Sequence, residues 1–201
     1  MGFIRFLGAI GLADGVEPPH HPHVVVPLEV VHDVNAAEKI SHLLWASVRQ
    51  HVDPSVLQAL NEGLWEMVAN ALEHSGSEAV IMGQVYREGE PPDHDGRVQV
   101  VIGDAGRGIR ASLTAGGRQH LSDDVAAIES ALEYLVSSVA DPGRGQGLTT
   151  TLEEVTALDG DLLIRSGSGT LREGAEGRRT HEVPHIDGTV AAMSLPLYPG
   201  T

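Results

Sequence analysis

Three short segments, each at a point where the hydrophobic period of the chain changes, constrain what this sequence can fold into. Glu66-Met-Val-Ala-Asn70-Ala-Leu-Glu-His74-Ser75 closes a long helical pattern. Asp104-Ala-Gly106-Arg-Gly108-Ile109 follows a strand pattern, and Gly143-Arg144-Gly145-Gln146-Gly147-Leu148 opens another helical pattern. Glycines at such junctions permit backbone angles closed to other residues and let the chain pass close to a ligand.

The periodicity between them is readable. Val24–Val31 reads as a strand, with Pro27 marking a sheet edge. Asn35 and Glu38 form a capping-box pattern before a helix with Ala37, Ile40, Leu44 and Val48 on one stripe. Asp53 and Pro54 open a second helix that runs to about Ser75, with Leu57, Leu60, Leu64, Met67, Val68 and Ala71 at helical spacing. Residues 79–86 and 98–102 read as strands around a Glu90–Asp93 turn. A helix capped by Ser122 and carrying Val125, Ile128, Leu132 and Leu135 follows, then one marked by Leu148, Leu152, Val155 and Leu158. Residues 161–165 and 188–195 close as strands, and the long charged stretch from Gly167 to His185 is expected to be a mobile loop. Alternating helices and strands argue for α/β layers in an α+β two-layer sandwich, over residues 24–201 as one domain. Residues 1–23 read as an arm for packing or dimerisation plus a Pro/His-rich linker, in which His20, His21 and His23 fit a solvated loop better than a metal site.

Composition narrows the partners. With 201 residues and 41% hydrophobic content the chain can bury a core, but aromatics are only 3%, so that core must be aliphatic. The formal charge of −15, with Lys39 as the only lysine, disfavours nucleic acid and anionic membrane and suits a partner presenting basic residues. The absence of cysteine excludes disulfides and thiolate metal sites and fits a reducing, cytoplasmic setting. No apolar stretch has the length of a membrane span.

The segments also carry chemistry. Glu66, Asn70 and His74, four residues apart, share one helix face. That face is either an ordinary solvated stripe or a site for a hard cation beside phosphate, in which the Asn70 carbonyl is a suitable magnesium ligand and Glu66 could orient or deprotonate a nucleophile. Asp104, at a strand end, accepts hydrogen bonds only when ionised, which suits the exocyclic amine of adenine and rejects guanine at that position. It also fits a plain Asp-Ala-Gly turn. Gly143, Gly145 and Gly147 before a helix start provide free N–H groups for an anion, to which Arg144 would add charge. The pattern is neither a Walker loop nor a dinucleotide fingerprint.

Taken together, the three segments resemble the N box and the two glycine boxes of the GHKL superfamily, which includes DNA gyrase B subunits, Hsp-type chaperones, MutL-like repair proteins, sensor histidine kinases and anti-sigma-factor serine kinases. Gly160-Asp-Leu-Leu-Ile-Arg-Ser166 and Gly188-Thr189 look like that family's two closing strands. The resemblance implies the Bergerat fold, a mixed sheet backed by helices, binding ATP and magnesium. It implies that Asn70 binds the metal, that Asp104 and Thr189 bind adenine, and that His74, Gly106, Gly108, Ile109, Gly143, Arg144, Gly145, Gln146, Gly147 and Leu148 complete the nucleotide site. Residues 110–142 would be the lid and Glu66 the catalytic base. Gln146 departs from the small or aliphatic residue usual at its place.

His42 lies too close to Glu66 to serve as a histidine kinase phosphoacceptor, and Lys39 is misplaced for the transducer lysine of the gyrase, chaperone and repair branches. The expectation is therefore a stand-alone ATP-binding regulatory protein, nearest the anti-sigma serine-kinase branch. It would work as a magnesium-dependent protein kinase or slow ATPase on or through a separate regulatory protein. The alternative is a non-catalytic, nucleotide-gated interaction module.

Overall fold

A computed structural model describes residues 24–75, 78–87, 96–118, 120–137 and 147–199. In chain order they form β1 (Val24–Val31), α1 (Val34–Val48), α2 (Pro54–Ser75), β2 (Ala79–Tyr86), β3 (Arg97–Asp104), α3 (Gly108–Ala115), α4 (Asp124–Ser137), α5 (Gly147–Ala157), β4 (Asp161–Gly174) and β5 (Gly177–Pro196). The N-terminal arm, the histidine cluster, the Glu90–Asp93 turn and Gly143–Gln146 lie outside the described residues.

The strands make one sheet in the order β1-β2-β3-β5-β4, and each neighbouring pair is antiparallel. This corrects the expected mixed sheet. The connections from β2 to β3 and from β4 to β5 are shorter than the crossover a parallel pair requires. β5 then folds back between β3 and β4, and so runs opposite to both. β1 is an edge strand, as Pro27 suggested.

Carboxylates set the helix starts. Asp53 Oδ1 accepts the Ser55 N–H at 2.9 Å, with Pro54 as the first helical residue, as read from the sequence. α1 is capped by Asp33, whose Oδ1 takes the Ala36 N–H at 2.8 Å, so the expected box at Asn35 lies inside the helix. α4 is capped by Asp123, which takes the Ala126 N–H at 2.7 Å, while Ser122, the expected cap, bonds the Asp123 carboxylate instead. In both cases a nearby carboxylate is a strong acceptor for a first-turn amide and also complements the helix dipole.

One face of the sheet is apolar in successive rows. Val85, Val98 and Leu195 form one, then Gly83, Val100, Met193 and Leu162, then Ile81, Ile102, Ala191 and Ile164. Ala37, Ile40, Leu44 and Val48 of α1 and Leu60, Leu64, Met67, Val68 and Ala71 of α2 are buried in the same core. Each of the Val, Ile, Leu and Met side chains contributes roughly 1.5–3 kcal/mol. α2 lies close to the sheet and to α5, since a Cβ at Gly63 would stand 2.9 Å from both Met193 Sδ and Thr151 Cγ2.

The Gly167–His185 stretch is a β4–β5 hairpin, with register shifts on either side of Gly167, rather than a loop. Its turn uses Gly177 at φ 83°, Arg178 pairs with Glu173 at 2.6 Å, and Leu171 is fully buried. α4 covers it, with the Asp124 carboxylate taking the Ser168 N–H at 2.8 Å and Ala127, Ile128 and Leu132 buried. The charged residues that suggested a loop instead decorate a ribbon whose inner residues are held by a helix.

Candidate functional site

Two polar features emerge from these elements. The first is the face of α2. The helix turns its apolar side to the sheet and leaves Glu66 and Asn70 half-buried one turn apart, with Asn70 Nδ2 donating to Glu66 Oε1 at 3.2 Å. That bond directs the amide nitrogen to Glu66 and leaves the Asn70 carbonyl oxygen as an open acceptor. About two turns earlier Gln58 donates to Glu62 at 2.9 Å, in the opposite sense along the helix. The His74 side chain lies outside the described residues.

The second feature is the end of the sheet. Two residues past Ile102, Ala191 and Ile164, the next row on the same face is Asp104, Thr189 and Ser166, in register across β3, β5 and β4. Opposed residues of antiparallel strands point to the same side, so three polar side chains stand together where the apolar pattern stops. Asp104 is 6% exposed and Ser166 3%. Burial raises the Asp104 carboxyl above the ordinary carboxylate value, opposed by hydrogen bonds from the Gly106 and Thr189 backbone N–H groups, the first to Oδ1 at 2.8 Å. An acid placed here without other need is costly.

Glycine is required around this row. Gly108 has φ 76°, and a Cβ there would meet Ser166 Oγ at 3.0 Å. Gly188 has φ 79°, and a Cβ would collide with the Asp104 carbonyl oxygen. The first glycine segment thus wraps the row: Gly106 bonds Asp104, and the Ile109 N–H donates to Ser166 Oγ at 2.9 Å at the start of α3. α2 touches α3, β3 and β5.

Of the predicted residues, Asp104, Gly106, Gly108, Ile109 and Thr189 are brought together. Gly147 begins α5 and Leu148 packs partly buried against the core, while Thr149 Oγ1 ties that helix start to the Leu132 carbonyl at 2.8 Å. Gly143, Arg144, Gly145 and Gln146 lie outside the described residues. Sequence reasoning missed Ser166. Its signal was present, because Leu162 and Ile164 predict an apolar residue at 166 by strand alternation and a serine stands there. It also missed Glu154 on α5. Burial, and then a hydrogen bond and charge repulsion from Glu62 of α2, raise the Glu154 carboxyl.

A cleft of about 690 Å³ adjoins the row, lined by α3, Asp124, Ser166, Gly167 and residues 185–188. Glu66, Asn70 and Asp104 do not line it. Among the described residues no group of three or more His, Asp or Glu side chains is placed to hold a metal. A magnesium ion here would take one ligand, the Asn70 carbonyl, and complete its shell with phosphate and water, which is its ordinary preference. No helix among the described residues is long and apolar enough to cross a membrane. Compared with protein-family models and with curated proteins, the chain matches neither.

Proposed function

We propose that this chain is an ATP-binding regulatory domain of the GHKL type with the Bergerat topology. Its chemistry would be magnesium-dependent phosphoryl transfer to a separate protein or, slowly, to water. One observation carries the reading: the polar row of buried Asp104, half-buried Thr189 and buried Ser166 ends an otherwise apolar sheet face, presenting a carboxylate in a desolvated place where a purine amine would satisfy it. The glycine segment that wraps this row and the carbonyl-bearing face of α2 beside it supply the remaining parts.

In this reading Asp104 accepts the adenine amine. The Asn70 carbonyl oxygen would hold magnesium, whose charge would offset that of the phosphates. Glu66, fixed by the Asn70 amide, takes the proton of the attacking hydroxyl or water as the γ-phosphoryl group leaves ATP. The N–H groups at the start of α5 face the phosphates. The second reading, a nucleotide-gated interaction module, draws on α4. The expected lid segment between the glycine segments contains a helix docked on the hairpin, a built surface that a partner protein could read.

Titration calorimetry of the chain with magnesium-ATP tests the site. Asp104→Asn keeps the shape and the Gly106 bond but turns an amide donor toward the amine. Affinity is expected to fall about 10- to 100-fold, the value of a lost charge-assisted hydrogen bond. Equal affinity in the variant would remove Asp104 from the pocket.

A further inference from the structure

Only one proton arrangement of the hydroxyl pair beside Asp104 makes all three contacts of Ser166 hydrogen bonds at once. Ser166 Oγ lies 2.9 Å from the Ile109 N, 3.1 Å from the Gly188 carbonyl oxygen and 3.1 Å from Thr189 Oγ1. A hydroxyl has one proton and two lone pairs. The Gly188 carbonyl has no proton, so the Ser166 proton goes there. The Ile109 N–H occupies one lone pair of Ser166. The contact with Thr189 then requires Thr189 to donate its own proton to the remaining lone pair. Thr189 is left with acceptor lone pairs alone, next to an Asp104 carboxylate that is also only an acceptor.

We infer that Ser166 is a specificity-determining positioning residue: by holding the Thr189 proton, it makes the base-reading end of the pocket an acceptor-only surface that admits a 6-amino purine and rejects a 6-oxo purine. Ser166 acts through Thr189 and need not touch the nucleotide. A 6-oxo purine would bring its own acceptor against two others, and its single neighbouring proton, on N1, could serve only one of them, which leaves acceptors unpaired. Once Ser166 is removed, the Thr189 hydroxyl can rotate and donate, and the rejection weakens. The inference rests on the ATP-binding reading and extends it to the source of base selectivity.

The test measures affinities of wild type, Ser166→Ala, Thr189→Val and the double variant for ATP and for inosine triphosphate, which carries an oxo group in place of the amine, with Tm recorded for each. Ser166→Ala is expected to reduce the preference for ATP over inosine triphosphate about 10-fold, the worth of one hydrogen bond of the wrong sense. In the Thr189→Val background, where there is no hydroxyl to orient, Ser166→Ala should leave the preference unchanged. Ser166→Thr, which restores a hydroxyl, should recover the wild-type ratio. An unchanged ratio in Ser166→Ala with both affinities lowered together means a merely structural serine and overturns the inference, as does a further shift in the Thr189→Val background. A wild-type protein that binds neither nucleotide defeats the ATP reading itself, an outcome distinct from binding without the expected change in ratio.

Discussion

On α2, Glu66 and Asn70 are held by a hydrogen bond internal to one helix, and both side chains remain half-exposed. At the sheet end, Asp104, Thr189 and Ser166 come from three strands, and their positions are locked by register, by close glycine backbone and by hydrogen bonds from Gly106 and Ile109. A sheet row cannot shift one residue without turning a whole strand over. A helix stripe can re-aim by a change of rotamer. In the proposed reading the sheet row suits recognition of a rigid base, and the helix stripe suits groups that must follow a phosphate chain and take up a proton.

The strongest way to break this contrast is to disturb the row's backbone. Gly188→Ala places a Cβ against the Asp104 carbonyl at a φ of 79°. It should lower stability by about 2–4 kcal/mol and abolish nucleotide binding, as read by thermal melting and calorimetry. An unaltered Tm would mean that the row is far more plastic than its packing implies. On the helix, Glu66→Gln retains an acceptor for the Asn70 amide. Turnover should fall roughly 10²- to 10⁴-fold while ATP affinity stays within about 3-fold of wild type. Turnover that persists would make the α2 stripe ordinary surface.

Acidification sharpens the comparison further. The folded-state pKa of Asp104 is raised by burial, so the folded chain holds this proton more tightly than the unfolded one. The cost of burying its charge applies in full above that pKa and is relieved as pH falls through it. ATP affinity should move the other way, because the protonated acid loses its acceptor role. Binding should therefore weaken at a pH above the ordinary carboxylate range, and Asp104→Asn should flatten that profile. The smallest effect concerns Glu154, whose pKa is raised by burial and by Glu62. Glu154→Gln should raise Tm by about 1–3 °C near neutral pH, the gain shrinking as acid protonates the native pair.

What the sequence revealed divides along similar lines. α2, with Asp53 and Pro54 at its start, and the β2 and β3 strands were legible because local period and capping chemistry specify them. Strand direction was not, since an apolar strand reads alike in either orientation. The hairpin from Gly167 to His185 was taken for a loop because what orders it, the cover of α4 and the Asp124–Ser168 bond, comes from a distant segment. Asp104 and Thr189 were each visible as residues, whereas their alignment with Ser166 arises from the insertion of β5 between β3 and β4. The caps at Asp33 and Asp123 were displaced from Asn35 and Ser122 because several adjacent residues could serve and geometry chose the carboxylate.

That insertion also bears on how the protein is made. β5 follows β3 and β4 in the chain, yet it lies between them, so Asp104 and Ser166 both find their partner, Thr189, on a strand synthesised after their own. Until β5 emerges from the ribosome, β3 has an open edge and Asp104 faces no Thr189. Such distant pairings slow folding and expose unpaired strand edges in the meantime. The row of Asp104, Thr189 and Ser166 is thus completed only when β5 closes the gap between two strands made before it.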